Sequence, residues 1–209
     1  MSAIWAIIPV KSLAETKSRL TAVLSPADRA ALTIRLLRRT LQQLQACDWL
    51  AGSIVVSRDR RVAAVARALG AQRTAERADA GLNGAVVAGA VCAGRLGAAA
   101  WLIIPSDLPY LRSTDLDLLQ RAWAGASGTA VLAGDDCQDG TNGLLLPALP
   151  PFRFQYGPGS FTAHLAEIRR CGLIPAVVES PGLQFDLDTA ADWRKYQAHP
   201  AHISSTQSA

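Results

Sequence analysis

Ile4-Trp5-Ala6-Ile7-Ile8 is an unbroken apolar run closed by Pro9. It leads into Val10-Lys11-Ser12-Leu13-Ala14-Glu15-Thr16-Lys17-Ser18-Arg19-Leu20 and then Ser25-Pro26. A strand with one wet face would alternate apolar and polar residues, so a continuous run reads as a strand covered on both sides. Ser25 is a good helix N-cap and Pro26 suits the first helical position. Ile34, Leu37, Leu41 and Leu44 then share one helical face, opposite Arg35, Arg38, Arg39, Gln42 and Gln45. Buried strand, cationic connection, amphipathic helix is the opening of a parallel β-α-β unit.

The same alternation continues along the chain. Apolar runs recur at 53–56, 101–104, 129–132, 143–146 and 174–178, and helical patterns fall at 59–69, 82–95, 113–124, 160–171 and 189–197. Gly70 is placed to stop the second helix. Strands alternating with helices imply right-handed crossovers and a mostly parallel sheet covered on both faces, a single doubly wound, Rossmann-like α/β domain. The segment 135–151 is rich in Asp, Gly and Pro and breaks the alternation, so an antiparallel excursion is expected there. Residues 1–198 are read as the domain. The polar, aperiodic stretch 199–209 is read as a disordered tail.

Composition narrows the class. Half of the 209 residues are hydrophobic, 18% are charged and mean hydropathy is +0.16, which supports a packed core rather than disorder. No apolar run approaches the ~20 residues of a membrane-spanning helix, so no membrane association is expected. Cys47, Cys92, Cys137 and Cys171 form no C-x-x-C pair, which argues against a zinc site or a disulfide framework and fits a cytoplasmic protein. The net charge of +4 suits anionic partners, but the basic residues are dispersed, favouring small phosphorylated ligands over nucleic acid. Only three of the 21 basic residues are lysines, and two of these, Lys11 and Lys17, lie in the connection after the first strand. A homodimer is left open, since no exposed apolar face is identifiable from the sequence.

In an open parallel sheet, ligands bind beyond the carboxyl ends of the strands, which directs attention to the residues after each apolar run. The connection carrying Lys11, Lys17 and Arg19 is either a solvated basic loop or a polyphosphate clamp; it lacks the glycines and G-K-[ST] ending of a Walker A loop. In Pro105-Ser106-Asp107-Leu108-Pro109, the aspartate is a turn residue or a ligand for Mg²⁺ beside nucleotide phosphates. Phe185-Asp186-Leu187-Asp188-Thr189 sets two carboxylates on one face if extended, where they could join Asp107 around metal; alternatively Asp188 caps the following helix. Asp139-Gly140-Thr141-Asn142-Gly143 and Tyr156-Gly157-Pro158-Gly159-Ser160 form another group. Ser160 opens a helix whose free amides favour an anion, and His164 stands one turn further on the same side. Gly81-Leu82-Asn83-Gly84 is a nucleotide-contacting turn or simply a helix start.

Taken together and in order, P-V-K-x5-K-S-R-L, G-L-N, P-S-D-L-P, D-G-T-N-G, G-P-G-S-F-x-x-H and F-D-L-D-T resemble the 2-phospho-L-lactate / phosphoenolpyruvate guanylyltransferase family. The resemblance spans about residues 4–193. It implies a Rossmann-like nucleotidyltransferase fold and transfer of GMP from GTP to a small phosphorylated carboxylic acid, releasing pyrophosphate, in biosynthesis of the deazaflavin coenzyme F-420. It further implies that Lys11, Lys17 and Arg19 offset the triphosphate and that Asp107, Asp186 and Asp188 bind Mg²⁺. Gly81, Leu82 and Asn83 would lie near the guanosine, and Thr141, Gly157, Ser160 and His164 would hold the acceptor. The Ala- and Arg-rich composition leans toward a bacterium and hence phosphoenolpyruvate. The competing readings are another nucleotidyltransferase of this fold, making a molybdopterin dinucleotide or a cytidylyl product, and a catalytically inactive nucleotide-binding module. The absence of glycine between Val10 and Leu20 speaks against the first, and the presence of all three aspartates against the second.

Overall fold

A computed structural model describes residues 3–124, 128–148 and 151–198. The expected tail, 199–209, lies outside the described residues. Seven strands form one sheet in the order β3-β2-β1-β4-β6-β5-β7: β1 Ile4–Pro9, β2 Leu50–Val56, β3 Gln72–Thr74, β4 Ala100–Ile103, β5 Thr129–Gly134, β6 Thr141–Pro147 and β7 Ile174–Val177. The helices are α1 Pro26–Gln45, α2 Arg60–Ala68, α3 Gly81–Arg95, α4 Ser113–Ala124, α5 Ser160–Arg170, α6 Pro181–Gln184 and α7 Ala190–Ala198, with a 3-10 turn at Ser18–Leu20.

The apolar runs of β1, β2, β4, β5 and β6 are inner strands because both faces of the sheet are covered, whereas the run at 174–178 forms the edge strand β7, with Ile174 and Val177 exposed. Ala6, Ile8, Val55, Leu102 and Ile104 point into one layer with Leu37 and Leu41 of α1, Val62 of α2 and Leu116 and Leu119 of α4. Their alternating neighbours Ile7, Ile54, Val56 and Ile103 pack the other face against Val86 and Ala90 of α3 and Phe161 and Ile168 of α5. α3 comes so close to the sheet that a Cβ on Gly89 would lie 2.4 Å from Cγ2 of Ile7, so glycine is required there. A third, smaller cluster joins Leu20, Leu32 and Leu36 to Leu187, with Phe185, Trp193 and Tyr196 at its edge.

Two features of the topology position the site. The chain runs outward from β1 to β2 and β3, then crosses back to β4 on the other side of β1, so the connections after β1 and β4 diverge at the switch point where such sheets bind ligands. β6 is the expected antiparallel excursion, paired antiparallel with both β4 and β5. Its reversal brings its first residues, not its last, to the edge where β1 and β4 end: Leu144 pairs with Ile103, and Thr141 lies beyond it. Among the described residues no helix is long and apolar enough to cross a membrane.

Candidate active site

A cleft of about 550 Å³ opens over the carboxyl ends of β1 and β4, lined by the cations Lys11, Lys17 and Arg19, by the acids Asp107, Asp186 and Asp188, and by Thr141, Gly157 and Ser160. A larger groove of about 740 Å³ lies on the far side of α1 and shares only Leu36 with the cleft; it gathers Arg35, Arg38, Arg39 and Arg112 but none of these motif residues.

The connection after β1 is held by internal bonds. The backbone amide of Leu13 donates to Asp59, which also caps α2. Thr33 donates to the carbonyl of Arg29, so its oxygen accepts from Thr16. Lys17 adopts a left-handed backbone (φ 51°), uncommon for a residue with a side chain. That bend drives its ammonium into the protein, where it is only 5% exposed, 2.8 Å from Asp107 Oδ2 and 3.9 Å from Asp188 Oδ1. Arg19, well exposed, donates to Asp188 Oδ2 at 3.1 Å.

Asp186 and Asp188 reach this point because the chain after α6 is tied to the loop after β4. The amide of Leu187 donates to the carbonyl of Asp107, the Leu187 side chain is fully buried, and Asn142 donates to the carbonyl of Leu183. Burial, with the nearby Asp107 and Asp188, raises the Asp186 carboxyl to about 6, partly opposed by its own backbone hydrogen bond and Lys17. The three carboxylates thus crowd one another, with Lys17 beside Asp107 and Asp188 and Arg19 paired to Asp188. Among the described residues no set of three acidic, His or Cys side chains stands ready to grip a metal ion. The expected three-aspartate cage is thus not preformed, because the ammonium of Lys17 lies between Asp107 and Asp188. The hard oxygen donors still fit Mg²⁺, which ordinarily takes one or two carboxylates and completes its shell with water and phosphate oxygens.

On the opposite wall Gly159 takes the left-handed conformation (φ 70°) that opens α5 at Ser160. Asp139 fixes the turn, its carboxylate accepting from the amide of Gly159 and its carbonyl from that of Phe161. Asp135 organises 135–140 by accepting from the amides of Cys137, Asp139 and Gly140.

A family model described as guanylyl transferase CofC like matches residues 4–206. The chain belongs to this family. Phosphoenolpyruvate guanylyltransferase of Rubrobacter xylanophilus is 40% identical over 195 residues, covering 93% of this chain and 94% of that one. A putative nucleotide-diphospho-sugar transferase from Desulfovibrio desulfuricans has the same fold, with TM-score 0.75 at 16% identity, covering 99% of this chain and 95% of that one. So does glucosyl-3-phosphoglycerate synthase from Mycobacterium tuberculosis, in complex with Mn²⁺ and uridine diphosphate, with TM-score 0.65 at 13% identity, covering 99% and 78%.

Two side chains expected at the ligands do other work in this CofC-like guanylyl transferase. His164 is fully buried beneath the cleft: its Nε2 accepts from the amide of Gln155 at 3.0 Å, and its Nδ1 lies 2.9 Å from Thr141 Oγ1. Because Nε2 is the acceptor, Nδ1 carries the proton and donates to Thr141. His164 thus orients Thr141 rather than reaching an acceptor. Asn83 is likewise committed, its amide nitrogen donating to the carbonyl of Tyr156 and its amide oxygen accepting from the Tyr156 amide. It ties α3 to the 155–160 segment and is not among the residues that line the cleft. The capping alternative for Asp188 also fails: Thr189 and Asp192 cap α7 reciprocally, leaving Asp188 to Lys17 and Arg19.

Proposed function

We propose that this chain transfers GMP from GTP to the phosphate of phosphoenolpyruvate, or of 2-phospho-L-lactate, releasing pyrophosphate, in biosynthesis of coenzyme F-420. The observation that carries the reading is one cleft in which Lys11, Lys17 and Arg19 face Thr141, Gly157 and Ser160 across Asp107, Asp186 and Asp188. Kinship over nearly the whole chain with a phosphoenolpyruvate guanylyltransferase supports it.

An oxygen of the acceptor phosphate attacks the α-phosphorus of GTP. A new P–O–P bond forms, the bond between the α-phosphorus and the bridging oxygen breaks, and pyrophosphate leaves with that electron pair. The attacking phosphate is already ionised at neutral pH, so no general base is needed and the work is charge neutralisation and in-line positioning. Lys11 and Arg19 meet the triphosphate, and the buried ammonium of Lys17 faces the charge that grows as pyrophosphate departs. Mg²⁺ held by Asp107, Asp186 and Asp188 would supply Lewis acidity toward the phosphates, and another protein of this fold is seen with Mn²⁺ and a nucleotide. Thr141, relieved of donating to His164, has its hydroxyl hydrogen free for the acceptor, beside Gly157 and the helix start at Ser160.

The test is pyrophosphate release with Mg²⁺ and GTP, CTP or ATP, comparing the two acceptors and identifying the product by mass. Release from GTP with phosphoenolpyruvate, giving a guanylylated diphosphate, is expected. Release from CTP in its place would assign the chain to cytidylyl transfer.

A further inference from the structure

Asn83 lines neither the cleft nor the second cavity that opens from it, so the group that selects guanine is sought among the residues that do. This second cavity measures about 110 Å³ and shares Pro9, Val10, Lys11, Glu15 and Leu82 with the larger space, so a nucleotide with its phosphates over the first connection can extend its base there. It lies beyond the carboxyl ends of β1, β2 and β3, with Leu82 and Ala85 of α3 offering apolar surface to a flat ring. Glu76 is among its lining residues. It follows β3 by two positions and its side chain is 13% exposed. One carboxylate oxygen lies 3.4 Å from Nε of Arg58, and the other is buried with no hydrogen-bond partner. A carboxylate oxygen shut away from water without a donor is costly, and a ligand supplying one repays that cost.

We propose that Glu76 is the residue that selects guanine, its two oxygens accepting from N1–H and the 2-amino group. The inference rests on the guanylyl-transfer reading above and assigns that reading its base specificity. Guanine alone among the common bases offers two adjacent donors on that edge. Adenine and cytosine set one donor beside one acceptor, and an acceptor facing a carboxylate is repelled. Arg58 orients the carboxylate and is available to the 6-oxo group. Glu15, which also lines the cavity, is exposed and keeps its hydration.

The test is equilibrium binding of Mg²⁺-GTP, ITP, XTP and CTP to the full chain and to Glu76→Gln. ITP lacks the 2-amino group, so the unmodified protein is expected to prefer GTP to ITP by on the order of tenfold or more. In Glu76→Gln the amide presents one acceptor and one donor, which matches the N1–H and 2-oxo of xanthine, so the order is expected to reverse to XTP over GTP. Such a gain of affinity cannot come from misfolding. Arg58→Ala is expected to weaken GTP and ITP alike, since both carry the 6-oxo group. Glu76→Gln that keeps the original order, or an unmodified protein that binds GTP no better than ITP or CTP, overturns the proposal. A protein that shows the expected binding pattern but transfers GMP to neither acceptor upholds the base assignment and overturns the transfer reading.

Discussion

Lys17 is where the backbone and the chemistry meet. Its left-handed conformation is what aims the ammonium inward, and that ammonium is the charge separating Asp107 from Asp188. Lys17→Ala is expected to raise KM for GTP and lower kcat while leaving acceptor KM nearly unchanged, and Ser160→Ala to raise acceptor KM without touching GTP; initial-rate kinetics with each substrate varied checks the division. Asp107→Asn keeps the shape and removes a charge, so kcat is expected to fall by on the order of a hundredfold or more with little change in Tm. His164 gives a different readout. Burial, partly opposed by Glu167, lowers its imidazole to about 4, against an ordinary value of 6.5. Between those two pH values the unfolded chain binds a proton that the folded chain refuses, so the contribution of His164 to stability falls as pH drops from 6.5 toward 4, by roughly 3 kcal/mol. The raised carboxyl of Asp186 acts in the opposite direction over the same range, so the readout is the difference: denaturant unfolding from pH 7 to 4 is expected to show His164→Gln gaining stability relative to the unmodified protein as pH falls.

Among the elements, the start of α3 and the segment before α5 depend on each other through Asn83. Asn83→Ala removes both bonds to the Tyr156 backbone and leaves those groups without partners, a loss of roughly 2 kcal/mol. Because Tyr156 leads directly into Gly157 and Ser160, acceptor KM is expected to rise while GTP affinity stays near its original value; a rise in GTP KM alone would return Asn83 to the nucleotide. The same elements explain what the sequence could reveal. Long buried strands and the capped, amphipathic α1 were legible because sheet burial and helix periodicity act on consecutive residues. β3 was not, since Gln72-Arg73-Thr74 is short, polar and an edge strand, formed only because β2 is beside it. The antiparallel β6 announced itself through its turn residues. The roles of His164 and Asn83 were out of reach because each is fixed by partners, Thr141, Gln155 and Tyr156, brought together only by folding. Glu76 stood in no motif. Its meaning comes from a cavity and an unpaired oxygen.

For the molecule as a whole, the decisive fact is that the site closes last in the sequence. Lys11, Lys17 and Arg19 come from the first connection and Asp107 from the middle, yet Asp186 and Asp188 arrive only after the chain has crossed the entire sheet. Their segment is also a structural seal. Leu183 and Leu187 are fully buried, and Leu187 covers Leu20, Leu32 and Leu36, which anchor the start of α1 and the cationic loop. The proposed catalytic role is therefore coupled to stability through residues 181–198. A chain ending at Ala198 is expected to retain turnover and Tm. A chain ending at Glu179 exposes that cluster and lacks two of the three carboxylates, so it should unfold at a much lower temperature and release no pyrophosphate. Asp186→Asn with Asp188→Asn in the full-length chain separates the two effects: full stability with lost turnover is expected. Wild-type turnover in that double variant would show that Asp107 and Lys17 suffice, and that the last segment is a seal alone.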